Sequence, residues 1–280
     1  MSRTLNNAVI NKLIKSTCEG RLTCTSNTPI DYDDATAVTT VYFTPYLGDS
    51  IGLYDRDIWD LHTFSETSIS LSGFAANKNF DIFFYKNGTT DTLEAVEWTD
   101  DDNRATDIVY QDQIYVKDGD KTKRYVGTVR TTGTTGQTED SEYTRFVWNY
   151  YNGVRKRCRC VDQTQHQYGT STWRPWRNNT TVGITRVRFV IGIKKLVGCA
   201  ANTHSAFQYN NAVFDSATNT AIATQHLSTH NGDSGGSNSS HSLRGFSVLT
   251  EGFHYLQGLE LGFSGASQGY IQEINVITEF

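Results

Sequence analysis

Apolar positions open the chain at helical spacing. Leu5, Val9 and Leu13 lie four apart, with Ile10 and Ile14 beside them, which places one apolar stripe on a helix of roughly three turns. Ser2 or Thr4 stands where a cap is needed, and Gly20 follows the expected end. A helix this short is marginal alone in water, so the stripe is expected to dock on a partner surface. From Arg21 onward the helical period disappears and short strands follow one another. Residues 38–43 are rich in β-branched and aromatic side chains and end at Pro45 and Gly48; 51–54 and 58–64 come next, and 68–72 alternate strictly, as a half-exposed strand does. Residues 80–85 form a further strand, turned by Lys86-Asn87-Gly88 toward 93–98. Asp118-Gly119 joins 114–116 to 125–129 in a second hairpin.

The stretch 131–140 contains no apolar residue and two glycines, and a domain boundary is expected there or just after 148–153. Strands resume at 154–161, 186–197, 206–214, 246–249, 253–261 and 271–277. A low-complexity loop of Ser, Gly, Asn and His is expected over 229–241. Many short strands without interleaved helices predict an all-β protein: a docking helix over 1–19, a β domain over 20–145, and a C-terminal β domain over 146–280. Both domains are expected to be sandwich- or barrel-like, with a jelly roll among the options for the second. The aromatic run Phe146, Trp148, Tyr150 and Tyr151, near the junction, reads either as a subunit interface or as an ordinary core strand.

Composition supports packed domains. Of 280 residues 37% are hydrophobic, with 5 Trp, 15 Tyr and 14 Phe, which is enough aromatic bulk to fill a core. A net charge of −5 gives no dominant field, so neither nucleic acid nor an anionic membrane is an expected partner. The first residues lack a signal-peptide apolar region and no apolar run approaches membrane-spanning length, so folding in a cytoplasm is expected. Cys18, Cys24, Cys158, Cys160 and Cys199 are not the even, dense set of a disulfide-stapled domain.

Candidate chemistry is sparse. Gly232-Asp233-Ser234-Gly235-Gly236 is the string around the nucleophile of chymotrypsin-like serine proteases, which needs a His and an Asp arriving earlier in the chain. The usual His context is absent, the order His62, Asp107, Ser234 is too widely spaced, and His204 and Asp215 sit too close. A polar loop is the better reading of Ser234. Cys158-X-Cys160 on a strand would point both thiols to one side; with Cys199, His166 or His204 these are zinc-binding residue types, but no second pair has ligand spacing, and buried free cysteines are expected. Arg155, Lys156, Arg157 and Arg159 form a basic cluster, read as a solvated or salt-bridged face. Asp31 to Asp34 and Asp100-Asp101-Asp102-Asn103 lack the spacing of a calcium loop and read as turns. No catalytic, metal or cofactor residue is expected.

Several strings occur together in order: Gly20-Arg21-Leu22-Thr23, Val41-Tyr42-Phe43-Thr44-Pro45-Tyr46, Lys78-Asn79-Phe80-Asp81-Ile82-Phe83, Tyr125-Val126-Gly127-Thr128-Val129-Arg130-Thr131-Thr132, Arg145-Phe146-Val147-Trp148-Asn149-Tyr150-Tyr151-Asn152 and Gly252-Phe253-His254-Tyr255-Leu256-Gln257. With these the chain resembles a family of virion structural proteins of tailed bacteriophages, over nearly its whole length from Gly20 and most specifically up to Thr164. The family has hydrophobic residues where this chain has Cys24, Cys158 and Cys160. The resemblance implies a tail-fibre-like or host-attachment protein of the virion, assembled in the host cytoplasm. It implies a homotrimer that binds a host surface receptor; in that setting the stripe Leu5, Val9 and Leu13, read from its spacing, is expected to dock on other particle proteins. A capsid decoration protein and a glycan or peptide hydrolase are the alternatives. No catalytic residues carry over from the family.

Overall fold

The computed structural model describes residues 7–216, 226–229, 239–262, 265 and 267–280. The Gly232–Gly236 string with Ser234, and Leu5 of the apolar stripe, lie outside the described residues, as does the side chain of Val9. The protein is nearly all β, as the pattern of apolar positions predicts. It divides into two compact units. The first comprises residues 1–140, 146–154 and 280, the second 141–145 and 155–279. Among the described residues no helix is long and apolar enough to cross a membrane.

The first unit opens with α1 (Asn7–Ser16), which contacts the strands Ser50–Asp55 and Ile58–Thr63 of its own unit. Its strands begin with β1 (Gly20–Thr23), β2 (Ala35–Val38), β3 (Thr40–Pro45), β4 (Ser50–Asp55), β5 (Ile58–Thr63) and β6 (Thr67–Ser70). Then follow β7 (Asn79–Asn87), β8 (Thr90–Glu97), β9 (Ile108–Gln111), β10 (Ile114–Lys117), β11 (Asp120–Arg130) and β12 (Thr138–Asp140). After β13 (Thr144–Arg145) of the second unit, β14 (Val147–Asn149) completes the first. One sheet has the order β1-β3-β6, another β8-β7-β11-β10-β9 with β14 also on β11, and β4-β5 and β2-β12 are pairs. Leu22, Val41 and Phe43 of the first sheet share a core with Phe80, Ile82, Phe84 and Val129 of the second, as in a sandwich; the Phe43 and Phe84 rings are 5.3 Å apart.

Both expected hairpins form, β7–β8 through Gly88 (φ 63°) and β10–β11 through Gly119 (φ 78°). A third, β4–β5, turns on Arg56 (φ 45°) and Asp57 (φ 69°), two left-handed residues with no glycine to announce them. The polar stretch 131–140 is built into the first unit. Thr131 and Thr138 are fully buried, the Gly136 N–H donates to Phe74 O, and β12 pairs with β2. Residues 146–154 belong to the first unit because β14 joins β11 and because two asparagines clamp the start of the chain. Asn149 exchanges both amide bonds with the backbone of Leu22, and Asn152 donates to Cys18 O and Gly20 O.

The second unit adds β15 (Arg159–Asp162), β16 (His166–Gln167), β17 (Arg174–Pro175), a 3-10 turn Trp176–Asn178, β18 (Arg186–Ile191) and β19 (Lys195–Ala206). It ends with β20 (Gln208–Phe214), β21 (His226–Thr229), β22 (Ser239–Leu249), β23 (Gly252–Gly262) and β24 (Gln268–Ile277). One sheet runs β13-β18-β23-β20-β21 with β17 also on β23. The other runs β15-β24-β19-β22 with β16 also on β24. All these pairs are antiparallel except β13–β18. Phe207, left-handed at φ 50°, is the single residue between β19 and β20, where the chain passes from one sheet to the other. The expected strand over 186–197 is two strands of different sheets. Ser239, Ser240 and His241, expected in a loop, are strand residues paired to Ser205, His204 and Thr203.

A candidate binding surface on the second unit

The two faces of the sheet β15-β24-β19-β22 differ. Along β19 the inward residues Val197, Cys199, Ala201, Thr203 and Ser205 are buried, while Leu196, Ala200, Asn202 and His204 alternate outward. Strand period fixes this: one face joins the core and the other remains open. Cross-strand registers then set the rows of the open face. Leu196 lies opposite Val248; Gly198 lies between Phe246 and Ile277; Ala200 lies between Arg244 and Asn275; Asn202 lies between Ser242 and Glu273. Side chains so paired are close neighbours.

One end of this face is apolar and exposed. Phe246 is 67% exposed, Leu196 59% and Val248 55%. The Phe246 ring lies over Gly198, where a Cβ would approach within 2.9 Å of it, so the glycine makes room for the ring. The next rows form a groove of about 330 Å³ lined by Arg155, Lys156, Arg157 and Arg244, with Asn202, Ser242 and Asn275 on its floor. Its lining contains four basic side chains and no carboxylate. Arg155 reaches the groove because its backbone bridges Glu279. Arg157 is 3.9 Å from Glu142, a long contact for an ion pair.

The adjacent acids are already engaged. Arg159 donates to Glu142 at 2.8 Å and to Glu273 at 3.2 Å. Burial alone would raise the Glu273 carboxyl, but the amides of Asn275 and Asn202 and the Arg159 guanidinium outweigh it and hold it below the ordinary value. Ser242 Oγ donates to Asn202 Oδ1 at 2.6 Å, orienting that amide. Beneath the face Cys158, Cys160 and Cys199 are buried and in no disulfide, as the strand spacing predicts. Burial pushes Cys199 up to about 12.

A second cluster in this unit is interior. Glu260, fully buried on β23, accepts from Arg174 Nε (2.8 Å), the Arg177 backbone N–H (3.0 Å), Gln208 Nε2 (2.6 Å) and His166 Nε2 (2.5 Å). Both carboxylate oxygens are saturated by protein donors. This arrangement fastens β16, β17 and β20 to β23. The other histidines named from the sequence are scattered: His204 Nδ1 meets Ser240 Oγ at 2.9 Å, and Asp215 pairs with His254 at 2.8 Å.

The aromatic run belongs to the first unit's interior. Phe146 and Trp148 are 1% and 3% exposed, the burial of core side chains. Tyr150 packs edge-on against Tyr115, and the half-buried Tyr151 carries the Arg124 guanidinium over its ring at 4.5 Å. Of the helix stripe, Leu13 is 55% exposed. The helix end is nevertheless held locally, through Lys15 Nζ on Asp112 O at 2.9 Å and the Gly52 N–H on Thr17 O at 2.9 Å. The open sheet face was missed in the sequence; the alternation of 196–204 was its available signal.

No protein-family model matches the chain, and no curated protein matches it. Among solved structures, it is similar to the tryptic core variant of Cry1Da from Bacillus thuringiensis, at 8% identity and a TM-score of 0.23, over 89% of this chain and 51% of that one. It is also similar to the stem and receptor binding domain of the spike protein P1 from bacteriophage PM2, at 10% identity and a TM-score of 0.21, over 75% of this chain and 90% of that one. The chain spans about half the length of the toxin core. Likeness at these scores carries no argument about function.

Proposed function

We propose that this chain is a structural component of a tailed-phage particle, a tail-fibre-like host-attachment protein that works by binding. The observation that carries the binding role is the open sheet face of the second unit, where exposed Phe246, Leu196 and Val248 adjoin a groove lined by four basic side chains. Exposed apolar groups beside convergent polar ones mark recognition surfaces. The assignment to a particle rests on the ordered strings between Gly20 and Gln257. In this reading the exposed Leu13 belongs to the face of α1 that meets another particle protein, and the chain assembles as a homotrimer.

The test is mass spectrometry of purified particles together with competition for cells. The chain is expected in particles, and the isolated protein is expected to block their adsorption. Phe246→Ala is expected to weaken that block. A chain absent from particles, or a protein that leaves adsorption untouched at saturating concentration, overturns the reading.

A further inference from the structure

The attachment reading leaves open what the groove beside Phe246 takes. We infer that it binds an anionic saccharide, a sugar bearing a carboxylate or a phosphate ester; this rests on the attachment reading only for its biological setting, since the groove's chemistry stands alone.

Three observations converge. First, the charge balance is one-sided. Arg155, Lys156, Arg157 and Arg244 line the groove, and no carboxylate does. Glu273 and Glu142 are held by Arg159, and Glu279, whose backbone bridges Arg155, is not among the residues lining the groove. Among the described residues neither Arg155 nor Arg244 has a hydrogen-bond or ion-pair partner for its side chain, and both are exposed. A guanidinium without a protein partner presents its planar fork to an incoming carboxylate or phosphate, which it binds through two parallel hydrogen bonds.

Second, the floor is built for hydroxyl groups. Asn202, Ser242 and Asn275 are adjacent in the registered rows, and the Ser242–Asn202 and Asn275–Glu273 bonds fix their orientations while leaving further donor and acceptor capacity. Third, an apolar platform stands at the groove's end. Ile277 lines the groove and flanks Gly198, over which the Phe246 ring lies exposed. A sugar ring has an apolar C–H face and a hydroxyl rim, and this end of the sheet offers both kinds of contact beside cations.

Nucleic acid fits less well. A groove of about 330 Å³ holds one or two sugar rings, not a strand, and the chain's net charge of −5 opposes a long polyanion beyond it. Single-strand sites also use successive aromatic platforms, whereas the residues lining this groove include no aromatic side chain and Phe246 stands at its end.

The experiment is titration calorimetry on the full chain at low salt with four probes: trigalacturonate, glucose 6-phosphate, neutral maltotriose and a short single-stranded oligonucleotide. The expected result is binding of trigalacturonate, glucose 6-phosphate or both, the stronger naming the anion, with no binding of maltotriose. The Arg155→Gln/Arg244→Gln variant should lose about tenfold or more in affinity, as truncated charge-assisted contacts do. Phe246→Ala should lose affinity too, a loss that pure ion pairing would not produce. Both variants alter exposed side chains, and unchanged melting curves confirm the fold; if the double variant melts early, Arg244→Gln alone carries the comparison. The inference is overturned if neither anionic sugar binds, if affinity is unchanged in the arginine variant, if maltotriose binds as well, or if the oligonucleotide binds more tightly than either sugar. Competition for cells is scored separately. Retained competition without sugar binding overturns this inference alone, whereas sugar binding without competition overturns the attachment reading alone.

Discussion

The Nη1 of Arg124 donates to the carbonyl oxygen of Gly52 at 2.6 Å, from a side chain that is almost wholly buried. The same nitrogen reaches Thr17 O at 2.8 Å and Lys15 O at 3.0 Å. One cation on β11 thus gathers the end of α1 and strand β4, and Gly52 has no Cβ because Ile14 O occupies that space, 2.1 Å from where it would lie. Arg124→Met leaves these carbonyls without their donor, and the first unit is expected to lose about 3 kcal/mol. Urea unfolding of the full chain checks this through a lowered midpoint. Arg124→Lys, which keeps the charge but not the fork, should recover only part of the loss.

Glu260 makes the corresponding test in the second unit. Glu260→Ala strands Arg174, Gln208 and His166 around an empty buried position, and a loss of about 3 kcal/mol or more is expected, as for one partner removed from a buried pair. Glu260→Gln preserves the volume and one acceptor and should cost less. Thermal unfolding of the two variants reads the order; equal losses would show that the acceptor role is not what matters.

Acid should destabilise the first unit through Glu94. Burial alone would raise its carboxyl, but Lys117 and Lys123, each at 2.6 Å, outweigh it and hold it below its ordinary value of 4.5. Its folded value is therefore lower than its unfolded one. Its contribution is present above pH 4.5 and is lost as pH falls through the depressed folded value. Melting temperature is expected to fall on acidification below pH 4.5, and to fall less steeply in Glu94→Gln. Parallel slopes would remove Glu94 from the account.

The thiols should be silent in the folded protein. All five cysteines are buried, and burial pushes Cys18 up to about 11 and Cys199 up to about 12. Dithionitrobenzoate at mildly alkaline pH is expected to label none quickly in the native chain and all five after denaturation. Rapid labelling of the native chain would show that one unit opens readily.

Self-association follows from the proposed role. Light scattering on the purified chain is expected to give a mass three times that of the 31.4 kDa polypeptide. A stable monomer at micromolar concentration would overturn the trimer.

The sequence determined the elements whose signals are local. Period-two alternation placed most strands, the helical stripe placed α1, and Asn87-Gly88 and Asp118-Gly119 placed two hairpins, because a left-handed turn residue and a one-sided burial pattern are written in neighbouring positions. The same locality explains Cys158-X-Cys160, where spacing alone puts both thiols on one side. Tertiary structure decided the rest. The β4–β5 hairpin turns on Arg56 and Asp57, whose strain is sustained by strand pairing that no local composition reveals. The polar run 131–140 reads as a domain boundary until β2, about a hundred residues earlier, pairs with β12, and the Phe146–Trp148 segment turns out to be core because β11 receives it. The candidate site is the clearest case. Arg155, Arg244 and Phe246 are far apart in the chain, and only the registers of β22 and β24 against β19 bring their neighbours into successive rows. Side-chain alternation says that a strand has two faces; which face stays uncovered depends on what packs against the other, and that is a property of the assembled sheets.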